Sequence, residues 1–579
     1  MKHIICSILF LLIVYASSYA THNRAGEITY RHISGNTYEV TIVTYTYTPS
    51  AANEYRGQLL IDWGDGTKSY VQRSSEEFLP DNYTKNTYVG IHTYPGPGVY
   101  EIIMEDPNRN LGIKNIFDSV NIPFTISTIL KVDPVLGGNS TPILLNPPVD
   151  KAALGQRFVH NPAAFDIDGD SLSYSLAVCR GKNGEKIPGY TFPAASREFR
   201  VDSINGDLIW DAPMAVGSYN VAMHIEEWRN GVKIGFVARD IQIEVYETDN
   251  NVPEFAPIED ICVRAGDTVR LTISAIDPDG DPMHLSARGG PLEETVTKAD
   301  FPSTTGVGTV SSEFLWVPSV EEVRKQPYTV VFKATDMGRD ISLSALQYLN
   351  IQVIGHPATS VEAIGTALEN QLSWEHTHNN FINEYKVYRS SSPTNYITDY
   401  CEYDLPTELQ NTYSHIATTQ GNITDFTDNN NDWGLIPGTY CYRIVPMYND
   451  GFPGPVSDEI CVNVEQAITT ITHASVTATD CAKGEIFISW TQIDTSKITL
   501  FDPPFAYHIL RAEGFTPTSF TEIAQIHSLT DTMYTDINIC TEFSPYTYRV
   551  AVYSHANNST TLLGKSAPAA SPFISIFSR

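Results

Sequence analysis

Glu247-Thr-Asp249-Asn250-Asn251-Val-Pro253-Glu-Phe255, and shortly after it Ala275-Ile-Asp277-Pro-Asp279-Gly280-Asp281, place five or six oxygen-bearing side chains in a segment that otherwise reads as β-strand. Carboxylates held a few ångströms apart repel by about 4 kcal/mol per pair at an effective dielectric near 20, and a divalent ion reverses that sign. Calcium suits such a set, because it takes six to eight oxygen ligands in flexible geometry and accepts backbone carbonyls. Gly280 lets the chain turn tightly between ligands. Asp-Pro-Asp-Gly-Asp is also the composition of a solvated turn between strands. The same spacing returns in Phe165-Asp166-Ile-Asp168-Gly169-Asp170, with Asp166 and Asp277 lying 111 residues apart. A repeated turn would repeat as well, so the repetition favours the cation without removing the turn.

The surroundings of the two loops repeat too. Pro142 and Pro253 lie 111 residues apart, Trp210 and Trp316 106, and Tyr219 and Tyr328 109, so residues 136–248 and 249–355 read as two copies of one unit. Each runs through a proline, an acidic loop, a strand ending in Trp before a proline, and a strand opening on Tyr219 or Tyr328. The linker resembles that of the cadherin family, Asn-Asp-Asn-x-Pro-x-Phe, with Asp and Asn exchanged at the first two places. Both copies resemble cadherin-like sandwiches of the dystroglycan type. The resemblance implies calcium ligands at Asp249, Asn251, Asp277, Asp279 and Asp281, an ion shared by linker and loop that fixes the angle between the copies. Asp166, Asp168 and Asp170 form the matching loop of the first copy, beside Asn139, where Ser140 and Thr141 offer fewer charges. The second copy keeps Ala334-Thr-Asp336, where that family often has a further ligand, and the first has Glu226-Glu227-Trp228 there, which either replaces the ligand or is an exposed strand end.

Residues 21–135 alternate as strands, for example Tyr38-Glu-Val-Thr-Ile-Val-Thr-Tyr45. Their markers are Ile61-Asp62-Trp63-Gly64-Asp65-Gly66-Thr67 and His92-Thr-Tyr94-Pro95. Asp65-Gly66 supplies the positive φ of a tight hairpin and Trp63 covers the core. The pair of motifs resembles the PKD family of small β-sandwiches, and that reading leaves Asp62, Asp65 and His92 structural rather than catalytic. After residue 355 the acidic loops stop. Residues 356–465 and 466–579 share a second repeat: Leu372-Ser-Trp374 with Ile488-Ser-Trp490, Tyr385-Lys-Val-Tyr388-Arg389 with Tyr507-His-Ile-Leu-Arg511, and Tyr440-Cys-Tyr442-Arg443 with Tyr546-Thr-Tyr548-Arg549. Both resemble fibronectin type III sandwiches, with Trp on one sheet and Tyr on the facing one. In that fold Cys441 and Cys461 fall on adjacent antiparallel strands and are expected to form a disulfide, with Cys481 and Cys540 as a second pair. His376-Thr-His378 can place two ligands on one strand face, with no third in view.

The whole chain is expected to be all-β, a tandem array of five Ig-like sandwiches. A length of 579 residues, eleven per cent aromatics dominated by Tyr, and the absence of long i, i+3, i+4, i+7 patterns all agree with that. Residues 1–20 read as a secretory signal, with Lys2 and His3, an apolar run from Ile4 to Tyr15, and Ser18 and Ala20 in small-x-small form. No later segment has the apolar length of a membrane span. Export permits disulfides, and the seven cysteines from Cys179 onward are odd in number, so at least one is unpaired. A net charge of −30 disfavours nucleic acid as a partner. No Gly-x-Ser-x-Gly, His-Glu-x-x-His or phosphate-loop motif occurs, and the chain reads as a non-enzyme.

Thr21-His-Asn-Arg-Ala-Gly-Glu-Ile-Thr-Tyr30, the run Met104-Glu-Asp-Pro-Asn-Arg-Asn110 and His160-Asn-Pro-Ala-Ala-Phe165 are similar to large surface proteins of gliding bacteria exported by type IX secretion. The resemblance is strongest over residues 21–355. In that family a C-terminal sorting domain follows such modules; none is seen before the sequence ends at Arg579, so either the chain is a fragment or its export and attachment differ. It implies a secreted or outer-surface bacterial protein, rod-like, calcium-stiffened, with an adhesive or structural role and with extracellular polysaccharide or other surface proteins as partners. The alternative is a carbohydrate-binding accessory protein of a polysaccharide-degrading system.

Overall fold

The computed structural model describes residues 23–49, 56–339, 341–366, 369–431, 435, 438–464, 468–495, 502–556 and 560–572. Residues 1–20, expected to be a secretory signal, lie outside them. The protein is an all-β tandem array of Ig-like sandwiches, in two compact units that meet at residues 353 and 354. Among the described residues no helix is long and apolar enough to cross a membrane.

In the first unit the alternation at Tyr38–Tyr45 points Tyr38, Val40 and Ile42 inward, where they pack with Ile28, Ile61, Trp63, Tyr88, Met104 and Phe124. Trp63 is 2% exposed, stacks on His92 with ring centres 4.5 Å apart, and donates Nε1–H to Ser69 Oγ at 2.9 Å. Gly64 is required there: its φ is +81°, and a Cβ would meet the Glu101 carbonyl oxygen at 2.5 Å. His92 Nε2 lies 2.8 Å from Asp65 Oδ2. Burial alone would raise the Asp65 carboxyl, but hydrogen bonds from Thr67 and His92 hold it down to about 2. Asp65 and His92 therefore pin the hairpin onto the core.

Residues 21–135 and 136–248 share one eleven-stranded sheet. The strand Val232–Tyr246 pairs with Phe124–Val132 through Phe236↔Ile129, and with Asn23–Ser34 through Gly26↔Asp240. This seam is charged and buried. Arg239 reaches Glu27 at 3.0 Å, Arg109 grips Asp240 at 2.6 and 3.1 Å, and Asn110 donates to Gln242 at 2.7 Å. Arg24 meets Glu244 at 2.6 Å. The run Met104–Asn110 thus serves as a docking segment.

Beyond the seam, the Phe158–His160, Leu208–Pro213 and Ala195–Val201 strands form a second sheet. Between it and the strands 171–177, 217–229 and 232–246 lies a core built on Trp210, Met223, Ile225 and Ile241. Residues 254–354 repeat the arrangement with a three-stranded and a five-stranded sheet. The inward Trp packs edge-to-face on the Tyr of the facing sheet in both: Trp210 on Tyr219 at 5.0 Å and 83°, Trp316 on Tyr328 at 5.1 Å and 75°.

The second unit uses the same device twice, in Trp374 on Tyr385 at 5.4 Å and Trp490 on Tyr507 at 5.3 Å, both at 68°. In each copy, one Tyr and one Arg of the repeat grip a buried aspartate. Tyr442 donates to Asp428 at 2.6 Å while Arg389 donates to both oxygens of that carboxylate at 2.9 Å. Tyr548, Asp536 and Arg511 form the same triad at 2.7, 2.9 and 3.0 Å. Each buried aspartate ties its strand across the sandwich to the Tyr and Arg strands of the other sheet.

Candidate metal centres

The acidic loop of the second copy follows the strand Val269–Ile276, whose last inward residue is Ala275. Asp277 folds the loop around itself, as its Oδ1 accepts the backbone N–H of Asp279 at 2.9 Å and of Asp281 at 3.0 Å. One carboxylate oxygen from each of Asp277, Asp279 and Asp281 lies within 4.8 Å of the others. The linker reaches this loop directly: the Asn251 backbone N–H and side-chain amide donate to Asp279 at 2.7 and 3.0 Å. Those hydrogen bonds hold the Asp279 carboxyl below the usual carboxylate range.

Asn250 goes the other way, into the interior. It is 0% exposed and donates Nδ2–H to Asp336 Oδ2 and to the Ile341 carbonyl, both at 2.9 Å. Its backbone carbonyl accepts from Gln156 of the first copy at 2.7 Å, so one residue touches both copies. Three buried oxygens here have no hydrogen-bond partner: Asp277 Oδ2, Asp336 Oδ1 and Asn250 Oδ1. Burial, then the charges of Asp277 and Asp281, push the Asp336 carboxyl up to about 6. Arg339 stands at the rim, 2.7 Å from Asp281, 3.8 Å from Asp279 and 3.7 Å from Asp249. Asp249 itself is directed to solvent, its side chain 95% exposed.

The first copy is built alike. Asp166 Oδ1 accepts the Asp170 N–H at 2.8 Å, and Asp168 Oδ2 accepts the backbone N–H of Ser140 at 2.6 Å, which is this loop's link to the preceding segment. Asp166, Asp170 and Glu227 are all buried, with one oxygen from each within 4.8 Å of the others. Glu227 Oε1 accepts from Asn139 at 3.1 Å, whereas Glu227 Oε2 and Asp166 Oδ2 are buried without a partner. Burial, with Asp170 and Asp168 adding to it, raises Asp166 to about 7; burial and the Asp166 charge push Glu227 well above its ordinary value. Arg229 caps this cluster more firmly than Arg339 caps the other, donating to both oxygens of Asp170 at 2.8 and 2.6 Å.

The two clusters fit a hard cation. Every uncommitted atom is oxygen, and a buried oxygen without a partner costs about 1–3 kcal/mol that an ion bound there would recover. Asp277, Asp336 and Asn250 would hold it in the second copy, and Asp166 and Glu227 in the first, where Asp170 is already bound to Arg229.

Asn250 and the two arginines stand at positions that the sequence pattern does not mark as ligands or caps, whereas Glu227 belongs to the Glu226-Glu227 pair that the pattern leaves open as a replacement ligand. His376 is excluded as a ligand, because its Nε2 meets the His356 carbonyl at 3.1 Å and its Nδ1 accepts from the His378 N–H at 3.1 Å. Cys441 is bonded to Cys461 across directly paired strands, and Cys481 to Cys540. Cys179 is a free, buried thiol.

Among solved structures, the chain is similar to the FN1–FN3 domains of chicken CNTN1, with 13% identity, 55% of this chain and 94% of that one covered, and a TM-score of 0.17. Domains A168–A170 of titin give 10% identity, 56% and 99% coverage, and 0.18. Immunoglobulin domains 1–5 of Sidekick-1 give 11% identity, 94% and 98% coverage, and 0.21. No family model and no curated protein matches the chain.

Proposed function

We propose that this is a secreted or outer-surface bacterial protein with a non-enzymatic, adhesive or structural role, in which calcium locks the joint between the two cadherin-like copies. The observation that carries the calcium reading is the trio of partnerless buried oxygens on Asp277, Asp336 and Asn250, one of them on the linker itself. Tandem Ig-like modules and the disulfides Cys441–Cys461 and Cys481–Cys540 support an oxidising, extracellular setting. The likeness of residues 21–355 to surface proteins of gliding bacteria supports a place in surface attachment or gliding motility, with other surface proteins or extracellular polysaccharide as partners.

Calorimetric titration of calcium into the calcium-stripped full chain tests the reading. Extracellular modules bind calcium at about 10⁻⁴–10⁻³ M, and at a tenfold excess over Kd one ion adds about 1.4 kcal/mol to the folded state. The expected result is binding in that range that weakens at least tenfold in Asp277→Asn. No heat and no rise in Tm would show that the loops are solvated turns. A glycan array decides the role: selective micromolar sugar binding would favour the carbohydrate-accessory reading, and binding only to cells or to other surface proteins the adhesive one.

A further inference from the structure

His508 lies on the strand Phe505–Glu513 and is 4% exposed. Its Nδ1 is 2.8 Å from Glu522 Oε2, on the neighbouring strand Thr521–Ile526. An ionised carboxylate only accepts, so Nδ1 carries the hydrogen and Nε2 the lone pair. That Nε2 faces His555 Nε2 at 3.2 Å. His555 follows the strand Tyr546–Ser554, and its Nδ1 is 3.1 Å from Thr560 Oγ1. The exposed ring of His527 is centred 6.1 Å from that of His555.

We propose that His508 and His555 form the core of a site for a divalent transition ion of the zinc class, which the exposed His527 ring, 6.1 Å from His555 centre to centre, completes by turning toward the ion. A tetrahedral ion with metal–nitrogen bonds near 2.05 Å sets its nitrogen ligands about 3.3 Å apart, so the two Nε2 atoms already stand at that separation. In the metal-free chain the His555 Nε2–H donates to His508. When the ion enters, this proton moves to His555 Nδ1 and is donated to Thr560 Oγ1, since a threonine hydroxyl both donates and accepts. The half-exposed His555 ring then turns its lone pair to the ion, and no net proton is released. Glu522 is a positioning residue: through Nδ1–H it fixes the tautomer and orientation of His508, as a carboxylate behind a metal-binding histidine does. Three imidazoles select zinc, nickel or copper over calcium, which makes this site independent of the carboxylate loops.

The test is equilibrium dialysis of the full chain against zinc at pH 7.5, with millimolar calcium present to fill the carboxylate sites. The chain should bind one zinc whose affinity falls at least tenfold in His555→Gln and His527→Gln, both on the rim of the fold. Glu522→Gln should weaken binding by about tenfold or more. Lowering the pH to 5.5 should weaken it too, because the rings must be neutral to bind. Equal zinc affinity in the wild type and His555→Gln, or no saturable zinc binding by the wild type, would overturn the proposal and leave the pair as a hydrogen bond only.

Discussion

If calcium locks the joint as proposed, Asp336 is the residue whose surroundings change most. Without a cation it is a buried carboxyl with one oxygen bonded to Asn250 and Leu343 and the other to nothing. Removing its charge should act in opposite directions under the two conditions. In chelator, Asp336→Asn should raise the Tm of the first unit, because repulsion from Asp277 and Asp281 is relieved. In calcium it should lower the Tm relative to wild type, and calcium affinity should drop at least tenfold. The pH dependence has the same origin. Asp336 and Asp166 are raised to about 6 and about 7 in the folded chain, so between pH 4 and 7 the folded state holds more protons than the unfolded one. Stability in chelator should therefore fall as pH rises through that window, and calcium should abolish the fall by holding both carboxylates ionised. Melting curves at half-unit pH steps, with and without calcium, give the sign. The two acidic loops were legible in the sequence because each packs three aspartates into five residues. Asn250 was not, because Asp249, Asn250 and Asn251 have similar chemistry and only the backbone decides which one turns inward. Glu226 and Glu227 present the same problem on a strand, where adjacent residues point to opposite faces.

The strand Val232–Tyr246 carries more of the first unit than any sequence pattern suggests. Its alternation announces a strand, but its partners Phe124–Val132 and Asn23–Ser34 lie more than one hundred and two hundred residues earlier. Local periodicity holds no information about such pairings, so the sheet shared across residue 135 was not legible. Each charged seam residue would pass for a solvated strand position if read alone. Arg239→Ala would leave Glu27 buried without its cation, and such loss typically costs 3–5 kcal/mol. Urea unfolding of the first unit should shift by about that amount, whereas Arg31→Ala, which removes an exposed pair with Glu39, should shift it by less than about 1 kcal/mol. In the second unit, Cys441–Cys461 closes a loop of 20 residues, for which chain entropy gives about 3 kcal/mol. Cys441→Ser with Cys461→Ser should lower the stability of that unit by this order and leave calcium binding unchanged. This pair was legible because cross-strand geometry follows once the fibronectin-like repeat is seen.

At the scale of the whole molecule, the net charge of −30 makes the chain an acidic polyelectrolyte, and the proposed calcium sites would make the joint of the first unit sensitive to divalent ions. Arg229 and Arg339 set the size of that sensitivity, since each already neutralises one aspartate of its loop. The cluster around Asp277 keeps more free oxygens and should take up calcium before the cluster around Asp166. The most direct test is amide hydrogen exchange on the full chain in calcium and in chelator. Calcium should slow exchange in residues 249–255, 277–281, 336–339 and 341–343, then, at higher concentration, in 138–141 and 166–170, with the sandwiches of the second unit unchanged. Equal exchange in residues 249–255 and 277–281 under both conditions would contradict the claim that calcium locks this joint.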